Sequence, residues 1–264
     1  MTPRLSVIIP VRNDAAALRR TLDYLCGLPG FGAVEVIVAA SGDREGTDRA
    51  VSGRARLLWP GGSTRAALMN AGAAMARGPV LLFLHADSFP PVDAFELISQ
   101  ALSDTRAVGG AFEHLFAEPG WSLQAITWIN RIRYRLTRNY YGDQGIFVRA
   151  GAFRQLDGYR NLTIMEDLDF SRRLQRLGRS VLIRVPLRTS GRRFLARVQG
   201  EILALGGAAN LLAPSGTGLA SYRLSAVVRL RLTKGERVLA DAQVTGSEDY
   251  PGGADPLQSE ANRQ

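Results

Sequence analysis

Leu5-Ser6-Val7-Ile8-Ile9-Pro10 runs into Val11-Arg12-Asn13-Asp14 and then into a pattern that sets Ala17, Leu18, Leu22 and Leu25 on one helical face. This is the unit on which the fold turns. A short, apolar, partly β-branched run reads as a buried strand. The polar turn after it ends on Asp14, whose carboxylate can cap the helix, and Pro29-Gly30 punctuates the far end. The unit recurs through the first hundred residues. Val34 to Ala39, Arg56 to Trp59 and Val80 to Leu84 read as strands, and Thr64 can cap a helix through Ala67, Leu68, Ala71 and Met75 that stops at Gly78-Pro79. Strands and helices in alternation require right-handed crossovers, so the pattern predicts an α/β fold with a doubly wound, mainly parallel sheet. The chain has 264 residues, 46% hydrophobic and 22% charged. That is enough for one such domain of about 200 residues plus an extension, and it excludes collagen, coiled coil and wholesale disorder.

Ligands of open α/β sheets lie beyond the carboxyl ends of the strands. Three segments stand there: Pro10-Val11-Arg12-Asn13-Asp14, Ala39-Ala40-Ser41-Gly42-Asp43 and His85-Ala86-Asp87. The last follows the continuous apolar run Val80 to Leu84, so Asp87 is placed where a metal ion and a diphosphate can meet, although an aspartate before Pro90-Pro91 can equally cap a helix. The net charge of +9 comes from 33 basic against 24 acidic residues, and Lys234 is the single lysine. Arginines crowd residues 131 to 197, a field that attracts phosphates or an anionic membrane surface, or that simply forms a solvated basic face. No nucleic-acid recognition motif or aromatic platform accompanies them, so no nucleic-acid partner is expected. No apolar run reaches the roughly 18 residues a membrane span needs, and a strand begins within a few residues of Met1 in place of a signal sequence. With one cysteine, Cys26, read as a small core residue of the first helix, a reducing cytoplasmic location is expected, with peripheral contact at the inner membrane face as an option.

Taken together, Ser6 to Asp14, Val34 to Val38 and Leu81 to Asp87 resemble the nucleotide-binding half of family 2 glycosyltransferases with the GT-A fold. The second half agrees: Tyr141-Gly142-Asp143-Gln144-Gly145 with Ile146 to Arg149, then Gly158-Tyr159, then Met165-Glu166-Asp167-Leu168-Asp169, resemble that family's acceptor strand and catalytic segment. Within the family, Phe83 to Asp87, the Gly-Asp-Gln-Gly turn and Met165 to Asp167 most resemble a small bacterial branch labelled as arsenosugar-biosynthesis-associated transferases. The resemblance spans about residues 4 to 195. It implies a GT-A domain over 1–195, with a nucleotide-binding half at 1–90 and an acceptor half at 91–195.

The resemblance implies inverting transfer of a sugar from a nucleoside diphosphate donor to an acceptor, assisted by Mn²⁺ or Mg²⁺. Asp87 matches the last aspartate of the Asp-X-Asp motif, and His85 stands in place of the first, either as a metal ligand better suited to Mn²⁺ or as a structural histidine. Asp167 matches the catalytic base with Glu166 as its companion, against the plainer role of acids opening a helix. Pro10, Arg12, Asn13, Asp14, Arg65, Asn70 and Asp87 are implied to bind the nucleotide, and Asp143 and Gln144 to orient the acceptor or make the turn. Arg192 and Arg193 resemble a basic pair that meets the diphosphate, and Trp121, Trp128 and Tyr134 read as packing residues.

One departure is plain: Ala39 and Ala40 stand where the family carries aspartates that hold the base or ribose, and an alanine side chain accepts no hydrogen bond. The donor base is therefore open, and a degenerate, inactive nucleotide- or partner-binding protein is the alternative. A nucleotidyltransferase is weaker, since no Gly-X-Gly-Thr-Arg loop follows the first strand. In the C-terminal seventy residues, Phe194, Leu195, Val198, Ile202, Leu205 and Leu212 suggest a helix packed on the core or on a membrane interface. Val228 to Leu232 and Val238 to Ala242 around Thr233 to Arg237 suggest a hairpin within 196–245, and residues 246–264 are expected to be disordered.

Overall fold

The computed structural model describes residues 2–191, apart from 63, 119–126, 129–130, 132–133, 136, 138 and 163–164, together with the backbone of two strands at 223–234 and 237–249. Contacts divide the chain into two compact units, Met1–Gly200 and Glu201–Gln264. The first alternates as the sequence pattern requires: β1 (Leu5–Arg12), α1 (Ala15–Cys26), β2 (Val34–Ser41), α2 (Arg44–Val51), β3 (Arg56–Leu58), α3 (Arg65–Ala74) and β4 (Val80–Phe83). There follow β5 (Ser88–Phe89), α4 (Ala94–Ala101), β6 (Ala107–Phe116), β7 (Ile146–Arg149), α5 (Ala150–Gln155), α6 (Glu166–Leu177) and β8 (Arg179–Thr189).

Both expected caps form. Asp14 accepts from Ala17 N at 3.3 Å and Thr64 from Ala67 N at 3.2 Å, each satisfying a donor that the first helical turn leaves open. Ala17, Leu18, Thr21, Leu22 and Leu25 bury one face of α1. Cys26 lies one residue past that face, about 100° around the helix, and is exposed, which corrects its reading as a core residue.

The strand order is β3-β2-β1-β4-β7-β6-β8-β5. β1 pairs in parallel with β2 and β4, and β6 with β8, whereas β7 is antiparallel to both β4 and β6. The sheet is thus mainly parallel, as expected, with β7 reversed at its centre. Gly109 and Gly110 permit close approach of β6 to both neighbours: a Cβ on Gly109 would lie 2.5 Å from the Phe147 carbonyl oxygen in β7, and one on Gly110 1.9 Å from the Val181 carbonyl oxygen in β8. Two hydrophobic clusters form, one containing Val7, Ile9, Leu18 and Val38, the other Ile8, Phe83, Phe153, Tyr159 and Phe170. Successive β1 residues enter opposite clusters because side chains alternate along a strand.

Several arginines expected on a solvated face are structural. Arg149 donates to the carbonyls of Ala107 (2.8 Å) and Leu102 (2.5 Å), and Arg173 to those of Leu156 (2.7 Å) and Gly158 (2.8 Å). Tyr134 is buried as expected, whereas Trp128 is exposed. Trp121, Arg192, Arg193 and the expected helix at 194–212 lie outside the described residues.

In the second unit, β9 (Arg223–Lys234) and β10 (Arg237–Asp249) form the expected hairpin, pairing Lys234 with Arg237. β10 carries Gly246 opposite Ala226 and continues to Asp249, so ladder pairing extends into the stretch expected to be disordered. The tail after Asp249 lies outside the described residues.

At the amino ends of β1, β2 and β4, Glu35 binds the structure together. Its carboxylate accepts from the Ser6 hydroxyl (2.5 Å), Arg77 N (2.5 Å), Gly78 N (3.2 Å) and Arg77 Nε (3.2 Å). Burial pushes the carboxyl pKa up, but these bonds together outweigh it and hold the pKa below its ordinary value. A lowered folded pKa contributes stability above the unfolded glutamate range, and that stability is lost as pH falls through the folded pKa. Glu35→Gln is expected to cost about 1.5 to 3 kcal/mol at pH 7, the scale of a hydrogen bond to a charged group. In thermal melts the gap from the parent protein should narrow below about pH 4. A gap independent of pH would show that the charge contributes nothing.

Candidate functional site

At the carboxyl ends of β1 and β2, the loop crests are tied to each other. Asn13, with φ of 52°, accepts from Asp43 N at 2.9 Å through its side-chain oxygen. Asparagine is one of the few residues that tolerate this left-handed backbone. Asp43 in turn caps α2 by accepting from Gly46 N at 3.1 Å, while Glu45 pairs with Arg49 along the surface of α2. Pro10 is buried in β1, Arg12 is exposed at its end, and Asp14 caps α1. Ala39 and Ala40 are fully buried, so β2 offers no carboxylate at this edge. Next to them the Ser41 hydroxyl oxygen is buried and makes no hydrogen bond among the described residues. Sequence reading passed over Ser41, and a lone hydroxyl after two alanines was the available signal.

Across the sheet end, four residues predicted from separate stretches converge. Arg65, in the first turn of α3, places Nε 3.3 Å from Glu166 Oε1 and Nη1 3.5 Å from His85 Nε2. His85 packs on Gly142, where an added Cβ would lie 2.5 Å from His85 Nε2 and 3.3 Å from Asp167 Oδ2. Asp167 Oδ2 accepts from Gly142 N at 2.7 Å, and Oδ1 accepts from Leu168 N at 2.7 Å. A carboxylate oxygen has two acceptor sites, so each keeps capacity for a substrate hydroxyl. Both acids are buried, Asp167 at 8% exposure and Glu166 at 2%, and Glu166 is covered by its pair with Arg65.

The helix that presents these acids begins under strain. Met165, preceding α6, has φ of 62° and is half exposed, a conformation that costs a non-glycine residue about 1 to 2 kcal/mol. Beneath lies Tyr159, buried and stacked against Phe83, Phe153 and Phe170. Burial first, then the charges of Asp167 and Glu166, push its phenol well above the ordinary value, so it remains a neutral donor.

Two predicted binding residues are spent inside the protein. Asn70 clasps Tyr159 by accepting from its N (2.9 Å) and donating to its carbonyl (2.7 Å). Gln144, 1% exposed, donates to the Phe112 carbonyl (3.0 Å) and accepts from Tyr141 N (3.0 Å). Their amides hold the α3–Tyr159 contact and the 142–144 turn, with one donor and one acceptor site of each amide engaged by backbone groups. Asp143, in the same turn, stays partly exposed, with Oδ2 3.6 Å from His114 Nε2. Its carbonyl accepts from the Thr189 hydroxyl (3.1 Å), which also meets the Ser88 hydroxyl (3.0 Å). Sequence reading missed His114, although Glu113-His114 interrupting an apolar strand was a visible signal.

Asp87 is buried at the exit from β4, and its carbonyl accepts from Ser190 N at 3.1 Å. Among the described residues no group of three or more His, Cys, Asp or Glu side chains is arranged to hold a metal ion. Asp87 and His85 do not belong to such a group.

Solved structures share this fold at low sequence identity. Mannosyltransferase PcManGT from Pyrobaculum calidifontis, in complex with GDP-Man and Mn²⁺, matches with TM-score 0.57 at 19% identity, over 72% of this chain and 57% of that one. S. aureus TarS 1-349 matches with TM-score 0.58 at 16% identity, over 71% of this chain and 60% of that one. The same protein in complex with UDP-GlcNAc matches with TM-score 0.55 at 13% identity, over 71% of this chain and 58% of that one. The chain thus spans about three fifths of those chains, and the shared architecture is the GT-A fold. A search of curated proteins finds no match. No helix of the described residues is long and apolar enough to cross a membrane. The model of "Glycosyl transferase family 2" matches residues 6–158, from the second residue of β1 to the glycine before Tyr159, and with more than half of its length so matched the chain belongs to that family.

Proposed function

We propose that this chain is an inverting glycosyltransferase that moves a sugar from a nucleoside diphosphate sugar to an acceptor hydroxyl or related nucleophile. The observation that carries the reading is Asp167, held by Gly142 N–H and Leu168 N–H at the mouth of a site whose other wall is Arg65 and His85. In the reaction the acceptor O–H gives its proton to an Asp167 oxygen while the acceptor oxygen bonds to the anomeric carbon. The bond from that carbon to the diphosphate oxygen breaks, and the electron pair leaves with the diphosphate. Arg65 faces the developing charge, and Glu166 fixes the guanidinium in place. Asp87, with His85, would hold Mn²⁺ or Mg²⁺, which supplies neutralisation of the leaving diphosphate when bound. Asp143 lines the acceptor side. The resemblance of the segments at Phe83–Asp87, Gly142–Gly145 and Met165–Asp167 supports a reading within the arsenosugar-associated branch of the family.

A second reading, a noncatalytic nucleotide- or partner-binding protein, draws on the buried Ala39 and Ala40. Calorimetric titration of nucleoside diphosphates and their sugars with and without Mn²⁺, followed by assay of donor hydrolysis, separates the two. Catalysis requires both metal-dependent binding and release of free nucleoside diphosphate. Binding without turnover selects the second reading, and no nucleotide binding removes both.

The alanines also set an expectation for selectivity. UDP, GDP and ADP should bind within about tenfold of one another, because one missing charged hydrogen bond is worth roughly 1.5 to 3 kcal/mol. A preference for UDP much above that in competition binding would show that another residue, such as Asp43, has taken over the contact.

A further inference from the structure

The proposed reaction makes no use of a cavity of about 400 Å³ alongside the first half of β8. Arg135, Arg179, Arg184, Tyr134, Tyr140 and Ser180 line it. β8 runs parallel to β6 and reaches the catalytic end of the sheet at Thr189. Arg179 therefore lies ten residues back along an extended strand, roughly 30 Å from that end at about 3.3 Å per residue. The Arg179 end of the cavity thus stands far from the donor site, whereas Tyr140 in its lining precedes Gly142 by two residues.

Its electrostatics favour an anion. Glu113 is nearly fully buried and is shared by Arg135 (2.7 Å) and Arg131 (3.3 Å). Asp104 is shared by Arg179 (2.6 Å) and Arg106 (3.1 Å), and hydrogen bonds from Arg106 hold its carboxyl down to about 2, so it is ionised. Each acid cancels one of two guanidinium charges. Arg184 is exposed and pairs with no acid among the described residues, which leaves a net excess of cations around the cavity. Arg135 and Arg179 each keep about half of their side-chain surface exposed, so N–H groups remain to be used. Tyr134 adds a phenol whose pKa burial and the Glu113 charge both raise, leaving it a neutral donor. The forked N–H donors of guanidinium groups match the oxygens of a phosphate group.

We propose that this cavity binds a phosphate group, as a phosphomonoester or a phospholipid headgroup, at a site separate from the donor site. The volume is at the small end of ligand pockets, large enough for a phosphate with a few attached carbons.

The test uses the full chain in metal-free buffer. Inorganic phosphate is titrated calorimetrically into the parent protein, Arg184→Ala, Arg184→Lys and the donor-site variant Arg65→Ala. Loss of one charge-assisted contact should weaken binding about tenfold in Arg184→Ala. Arg184→Lys should recover part of it, and Arg65→Ala, which alters the donor site, should keep the Arg184-dependent share of the binding. A second arm floats the same proteins with phosphatidylglycerol vesicles and with phosphatidylcholine vesicles. Arg184-dependent flotation with phosphatidylglycerol alone identifies the lipid headgroup as the source. Arg184-dependent phosphate binding without flotation identifies a soluble ester. If neither arm responds to Arg184, or if Arg65→Ala removes phosphate binding, the anion belongs to the donor site or to no site and the proposal is overturned.

Discussion

Asp167→Asn is expected to lower turnover by about 10² to 10⁴-fold, the usual contribution of a general base, while donor binding changes little. The substitution keeps size and shape but removes the proton acceptor. Asparagine can still accept Gly142 N–H through its oxygen, so the turn that carries Asp143 keeps one of its anchors. Its amide nitrogen then faces Leu168 N–H, which the carboxylate of Asp167 accepts at 2.7 Å, and loss of that single contact is local to the start of α6. Glu166→Gln should reduce turnover less, since Glu166 is buried behind Arg65 and reaches the substrate through it. Single-turnover rates with saturating donor, set beside donor affinity from calorimetry, separate chemistry from binding. Near-parental transfer by Asp167→Asn would pass the base role to Glu166 or Asp143, and so would complete loss of nucleotide binding.

The other large effect is expected at Asp87. Asp87→Ala should abolish the Mn²⁺-dependent part of nucleoside diphosphate binding, because it removes the carboxylate that stands at the exit from β4 and is proposed to hold the ion. His85→Ala should act differently: losing an imidazole ought to shift the preference from Mn²⁺ toward Mg²⁺. His85 Nε2 lies 3.5 Å from Arg65 and against Gly142, so an unchanged metal preference would identify it as a support for Arg65 and the turn. Calorimetric titration of UDP at fixed Mn²⁺, repeated with Mg²⁺, reads both variants. Full Mn²⁺-dependent binding by Asp87→Ala would overturn the assignment.

The amino-terminal half was legible because its information is local. The apolar runs of β1, β2 and β4, the caps at Asp14 and Thr64, and the helical faces of α1 and α3 are periodicities within a few residues of one another. Right-handed crossovers then leave few topologies. Cys26 was misread at the margin of such a pattern, where one residue of helical rotation exchanges core for solvent.

The individual candidates of the site were also visible in the chain, as polar residues standing at strand ends. Which of them meet was not. Arg65, His85, Gly142, Glu166 and Asp167 become neighbours because β7 is inserted antiparallel between β4 and β6, carrying the 142–144 turn back to the strand ends. That insertion depends on the close approach allowed at Gly109 and Gly110, a property of two facing backbones that side-chain periodicity does not encode. Asn70 and Gln144 show the converse, since an amide reads the same in sequence whether its partner is a ligand or a buried peptide group. The sequence by itself determined the strands, the caps and the end of the sheet where polar groups gather. Only the tertiary structure decided which polar groups keep free acceptors for a substrate, because hydrogen-bond capacity is settled by neighbours up to a hundred residues away.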